Sequence, residues 1–188
     1  MSPQTQPPSP PPFPLPQVLN RNDLTFFFGD LNYRVQPLEN LEDRPAMHAI
    51  VRGHISNQEW DTLLGFDQLR AQQRARVAFH QFDEAKIDFP PTFKVVPGET
   101  SDDPAVLYNA KRVPSYCDRV LWRALPHCRV RCESYRSHPE VTSSDHIPVT
   151  AALRVELPQV HKDSKVGELK VRSGRWVVAC TLAVAPPS

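Results

Sequence analysis

The sequence predicts an α+β fold. Three observations carry that expectation. A short aromatic strand-like run lies near the N-terminus, two stretches of helical period follow it, and the C-terminal third is made of short β-branched and aromatic runs. At 188 residues the chain is long enough for one domain with its own core, or one domain with tails.

The elements follow in order. Residues 1–17 are a Pro-rich head, with eight of the chain's 21 prolines in its first 16 residues. Proline fixes φ and lacks an N–H, so this stretch predicts extended polyproline II character without a packed core. It reads either as a ligand for an SH3 or WW domain or as a plain disordered tail or false gene start. The folded part spans 18–156. Leu24 to Phe28 predicts a buried strand bounded by Asp23 and Gly29. Leu41 to His54 and Asn57 to Phe79 predict helices, the second with Asn57 as N-cap and Trp60, Leu63, Leu64, Leu69 and Val77 as anchors. Pro90 and Pro91 predict a turn into a strand over Thr92 to Val96, and Gly98 to Pro104 an acidic loop. Asp118 to Ala124, His127 to Tyr135, Val149 to Val155 and Leu169 to Val184 predict strands. Cys128, Val130 and Cys132 alternate with charged residues, and Ser173-Gly174 reads as a hairpin turn. Residues 157–188 are then a β-hairpin extension, or the start of a following domain.

Composition narrows the function classes. Lys plus Arg total 22 and Asp plus Glu 21, a net charge of +1, which argues against nucleic acid as a partner. No run of 18 apolar residues exists, which excludes a membrane-spanning helix. The N-terminus carries no secretory signal pattern, so the four cysteines read as reduced thiols of a cytoplasmic protein. Cys128 and Cys132 would lie about 13 Å apart on one strand face, too far for one tetrahedral ion, so they read as buried free thiols.

Three polar segments follow or open apolar runs. In Gly29-Asp30-Leu31-Asn32-Tyr33-Arg34 a carboxylate can orient a water and an amide can donate to a phosphoryl oxygen; the bland reading is a common turn. In Arg112-Val113-Pro114-Ser115-Tyr116-Cys117-Asp118-Arg119 a charged pair opens a strand, and the bland reading is an Asp118–Arg119 ion pair. In Ser144-Asp145-His146-Ile147-Pro148-Val149 a histidine adjoins a carboxylate, and the bland reading is a surface turn.

Taken together, these segments resemble the inositol polyphosphate 5-phosphatase family of the endonuclease/exonuclease/phosphatase fold group. Phe27 to Arg34 is similar to its Gly-Asp-x-Asn signature, Pro114 to Leu121 to its Pro-x-x-x-Asp-Arg-x-Leu signature, and Ser144 to Val149 to its Ser-Asp-His end. Phe82 to Lys94 resembles the connecting Glu-x-x-Ile-x-Phe-x-Pro-Thr-Tyr-Lys stretch. The resemblance covers residues 24 to 156 and implies part of a four-layer α/β sandwich on two sheets, one of them largely present. It implies Mg²⁺-dependent hydrolysis of a 5-phosphate monoester on a phosphoinositide or soluble inositol polyphosphate, peripherally at membranes. By this resemblance Asp30 activates water and Asn32 bonds the scissile phosphate. Asp118 fixes His146, His146 stabilises developing charge, and Asp145 lies in the metal shell. Lys94, Lys111 and Arg112 would clamp the neighbouring 4-phosphate.

The departures are specific. Phe27 replaces a usual Trp, Phe93 a common Tyr, and Lys111 sits one place off the usual basic position. Only 28 residues precede Gly29, whereas the family carries a further half that supplies a metal-binding Glu, an Asn and a His. The expectation is therefore a C-terminal half-domain with the N-terminal half missing and activity impaired. The alternatives are a non-catalytic fragment that binds phosphoinositide or an SH3/WW partner, and a nuclease of the same fold group.

Overall fold

The computed structural model describes residues 22–37, 43–160 and 169–180, so the Pro-rich head, the start expected for the first helix and the end expected for the last strand lie outside it. The described residues form two three-stranded antiparallel sheets, three short helices and a 3-10 turn at Pro104–Leu107. The first has the order β1 (Leu24–Asp30), β3 (Asp118–Ala124), β2 (Asp83–Glu84), and the second runs β4 (Arg129–Ser137), β5 (Val149–Val160), β6 (Leu169–Cys180).

The central strand β3 is buried on both faces from Asp118 to Trp122, which is why its sequence reads as an unbroken apolar run after the first two residues. The sheets meet over Val120 and Trp122 on one side and Tyr135, Val149, Ala151 and Leu153 on the other. Phe89 stands edge-on to Tyr135, 5.2 Å between ring centres. Tyr135 reaches the core because of a β-bulge: the register of β4 against β5 shifts between Cys132 and Ser134, and Glu133 is the extra residue. In a regular ladder without the bulge, the period of two would turn Tyr135 of this same sequence outward.

The helices show where tertiary contacts override local pattern. α1 (Arg44–Ser56) is capped by Asp43, whose side chain accepts from Ala46 N at 3.1 Å, and it buries Met47, His48, Val51 and Ile55 as one stripe. Asn57 closes α1 and does not cap the next helix. The long helix expected to Phe79 is two short ones, α2 (Trp60–Gly65) and α3 (Gln68–Arg74). They break because Phe66 to Gln68 is tied to the chain after β1: Gln36 N donates to Phe66 O at 3.0 Å and Gln68 N to Arg34 O at 2.9 Å. Asp67 then turns inward and caps α3 through Arg70 N. Leu63, Leu64 and Leu69 are buried as anchors, but Val77 is 73% exposed.

Two strand expectations change. Thr92 to Val96 forms isolated bridges to Ser115, His146 and Tyr108 in place of a regular strand, bracing three segments at once. Ser173 and Gly174 sit inside β6, opposite Glu156 and Val155, so they make no turn. No described helix is long and apolar enough to cross a membrane.

Candidate active site

The antiparallel register of β1 and β3 sets Asp30 directly opposite Asp118, at one end of the first sheet. Past Asp30 the chain turns sharply. Asn32 takes φ +59°, a left-handed conformation that asparagine tolerates well, and its amide N–H donates to Asp30 Oδ1 at 2.9 Å. The Arg34 guanidinium donates to Asn32 Oδ1. That local geometry explains the Asp-x-Asn spacing: the carboxylate shapes the turn that presents the amide.

Successive residues of β3 project to opposite sides, and this separates Asp118 from Arg119. They do not pair with each other. Arg119 is 1% exposed and bonds Asp67 at 2.9 Å and Glu84 at 2.7 Å. Burial disfavours its charge, but the Glu84 hydrogen bonds and the Glu84 and Asp67 charges outweigh that and hold the guanidinium above its ordinary pKa. Asp118 Oδ2 instead accepts from Thr92 Oγ1 at 2.6 Å and lies 3.0 Å from His146 Nδ1. Its other oxygen is buried with no hydrogen-bond partner.

His146 arrives from the turn that opens β5. Its backbone is held by Ser144 Oγ at 3.1 Å and its ring packs on Phe93, 4.5 Å between centres. Burial lowers the imidazole pKa, yet the hydrogen bond and charge of Asp118, with the charges of Asp30 and Asp145, raise it overall above the usual histidine value. With Nδ1 engaged, Nε2 is the ring nitrogen left for a ligand. Arg34 lies 4.8 Å from the centre of the Phe93 ring, on the same aromatic platform. Neither Thr92 nor Arg34 is among the site residues expected from sequence. A hydroxyl beside a tyrosine-like position carries no periodic signal, and Arg34 reads as the end of a motif.

Lys94 and Asp145 meet each other: Nζ to Oδ2 is 2.6 Å, and the Lys94 hydrogen bond, against some desolvation, holds the Asp145 carboxyl below its ordinary range. Lys111 and Arg112 are exposed and make no contact with His146. With Arg34, Arg44 and Gln68 they line a cleft of about 360 Å³. Cys117, next to Asp118, is an inert thiol, pushed up to about 12 by burial.

A divalent cation is a poor fit to these residues alone. Among the described residues no three His, Cys, Asp or Glu side chains gather in a metal-holding group. Asp145 is neutralised by Lys94, and Asp118 spends one oxygen on Thr92 and His146. A hard cation takes about six oxygen ligands. Cys128 and Cys132 likewise have no zinc partner set among the described residues.

The description of endonuclease/exonuclease/phosphatase family 2 matches residues 13–152. The chain belongs to that family. Within it, the chain is 36% identical over 137 residues to phosphatidylinositol 3,4,5-trisphosphate 5-phosphatase 1 of Xenopus laevis, covering 69% of this chain and 13% of that protein. It is 34% identical over 136 residues to the human phosphatidylinositol 3,4,5-trisphosphate 5-phosphatase 2, covering 69% and 10%. Among solved family members, the inositol polyphosphate 5-phosphatase domain of SpSynaptojanin, in complex with inositol (1,4)-bisphosphate and calcium ion, superposes with TM-score 0.50 at 34% identity, over 69% of this chain and 33% of that one. The Cimex nitrophorin ferrous NO complex superposes with TM-score 0.59 at 28% identity, over 71% and 42%. One fold thus carries unlike functions, and the site, more than the fold, has to carry the assignment. The chain spans about a tenth of the length of these curated relatives.

Proposed function

We propose that this chain carries the C-terminal catalytic half of an inositol polyphosphate 5-phosphatase domain. The observation that carries this reading is the pairing of buried Asp118 with part-buried His146 at 3.0 Å, placed at the sheet end where Asp30 faces Asp118. In this reading Asp30 orients and activates the attacking water, and Asn32 donates to the scissile phosphate. Asp118 holds His146 so that the imidazolium stabilises charge on the phosphoryl oxygens in the transition state. Lys94, Lys111 and Arg112 recognise a neighbouring phosphate, Lys94 by exchanging Asp145 for it. The substrate is a 5-phosphorylated phosphoinositide or soluble inositol polyphosphate, met by a cytoplasmic protein working at the membrane surface. Mg²⁺ dependence follows from the family resemblance. Asp145 would lie in that ion's shell, with the remaining donors coming from outside the described residues.

The test is a chimera. Residues 24–156 replace the matching segment of a 5-phosphatase relative, and phosphate release from a 5-phosphorylated inositol is assayed with Mg²⁺. Turnover that Asp30→Ala and His146→Ala abolish is expected. A folded chimera without turnover overturns the reading. The 188-residue chain alone is expected to show little turnover, since its described residues gather too few metal donors.

A second reading rests on the cleft of Arg34, Arg44, Lys111 and Arg112. It makes the chain a non-catalytic phosphoinositide binder whose Pro-rich head recruits an SH3 or WW domain. Binding to phosphoinositide vesicles together with a catalytically dead chimera would favour it.

A further inference from the structure

The Asp118–His146 pair joins side chains from two distant segments, and one residue is bonded to both. Thr92 is fully buried. Its backbone N–H donates to Ser115 O at 3.1 Å, three residues before Asp118, and its carbonyl accepts from Ile147 N at 2.8 Å, one residue after His146. Its hydroxyl accepts the Asp118 N–H at 3.3 Å and donates to Asp118 Oδ2 at 2.6 Å. The first of these bonds settles the second. With the N–H occupying the oxygen's lone-pair side, the hydroxyl proton is aimed at the carboxylate. The β-branched side chain is stiff at χ1 and fully enclosed.

The two oxygens of Asp118 are consequently unlike. Oδ2 holds both Thr92 and His146, while Oδ1 is buried without a partner. Nothing else among the described residues marks which oxygen faces the imidazole. We propose that Thr92 is the positioning residue of the pair: it fixes the rotation of the Asp118 carboxylate, so that His146 keeps its proton on Nδ1 and presents Nε2 outward. The proposal rests on the reading of this pair as the catalytic one, but its test does not use hydrolysis. Thr92 touches neither water nor phosphate in this role; it acts through Asp118.

The experiment is nitrogen NMR of the histidine rings in the 188-residue chain, at one pH held well above the imidazole range. The wild type and Thr92→Ser are expected to show His146 as the Nδ1–H tautomer. Thr92→Val, nearly isosteric, is expected to move the tautomer ratio about five- to tenfold toward Nε2–H, the size of one net hydrogen bond. A folded Thr92→Val with the wild-type tautomer overturns the proposal, as does Thr92→Ser behaving like Thr92→Val. If Thr92→Val does not fold, the wild-type hydroxyl proton decides. A slowly exchanging Thr92 hydroxyl signal is expected, and one exchanging as fast as that of exposed Thr62 overturns the assignment. In the active chimera Thr92→Val should lower kcat with KM nearly unchanged. A dead chimera whose His146 tautomer still depends on Thr92 would sink the proposed function and leave this inference standing.

Discussion

Asp118 and Arg119 are neighbours in sequence and opposites in design. The guanidinium of Arg119 is matched: Asp67 and Glu84 take it, and Tyr135 donates to Glu84 at 3.0 Å while accepting from Val120 N at 3.1 Å. Around Asp118 the matching is incomplete. One carboxylate oxygen has no partner, His146 keeps a free ring nitrogen, and the Lys94–Asp145 pair beside it is only part-buried. A network that holds a fold consumes its hydrogen-bonding capacity, whereas a site keeps some in reserve for a ligand.

The strongest challenge to this contrast is Arg119→Met. It leaves Asp67 and Glu84 buried without a counter-charge and is expected to cost about 3–5 kcal/mol. Urea denaturation followed by far-UV circular dichroism should show the midpoint collapse. Replacing Asp67, Glu84 and Arg119 together by apolar residues should recover much of the loss, because the expense lies in the stranded charges. If Arg119→Met is nearly neutral, the network is decorative and the contrast fails.

On the other side of β3 the effect belongs to chemistry. His146→Ala and Asp30→Ala in the active chimera should each lower kcat by 10² or more, about 2.7 kcal/mol in the barrier. Their thermal midpoints should move little, since both residues are less enclosed than Arg119. A variant that loses stability as severely as Arg119→Met would show that the site side also holds the fold.

Arg112→Ala sharpens the boundary of the site. It should weaken substrates bearing a 4-phosphate more than those without one, by about 1.5–3 kcal/mol, the range of a charge-assisted hydrogen bond. Equal losses on both substrates would confine Arg112 to the surface of its cleft.

The smallest effect is a pH dependence. His146 is more basic folded than unfolded, so the stabilisation from its proton is complete below its ordinary pKa of 6.5 and fades as pH rises through the higher folded value. Asp145 runs the other way: held acidic by Lys94, it stabilises above the usual carboxylate range and loses that contribution as pH falls through its depressed folded value. Denaturation series across both windows should show the first slope vanish in His146→Ala and the second in Lys94→Met. Slopes that persist in those variants would assign the titration elsewhere.

The motifs were legible in the sequence: the structure sets Asp30 opposite Asp118 and brings His146 to Asp118. The strands β1, β3, β4 and β5 follow from composition, but β1, expected to be buried, exposes Phe27 and Phe28, because a run of aromatic residues does not say whether a layer covers it. The helix over Asn57 to Phe79 was illegible as two pieces because its break is made by Arg34 and Gln36, 30 and more residues away in sequence. Asp118 and Arg119 looked like partners because adjacency is visible in a sequence and strand geometry is not. The family resemblance places Lys94 at phosphate and Asp145 at the metal; their meeting depends on the bridges of Thr92 to Val96, which no local pattern announces.

The bulge at Glu133 also bears on how this chain can change over evolutionary time. Tyr135 reaches Glu84 and Val120 in the facing sheet from a β4 that is one residue longer than its partner there. Insertion of one residue between Ser134 and Tyr135 would invert the ring and sever that tie, even though every neighbouring amino acid was kept, whereas removal of Glu133 would regularise the ladder and leave Tyr135 opposite Ala151. A two-residue change would restore the side of Tyr135 while sliding it along β5. The stretch from Ser134 to Tyr135 is thus under a parity constraint, and insertions of one residue there should be purged where substitutions at exposed Arg131 or Arg136 are tolerated.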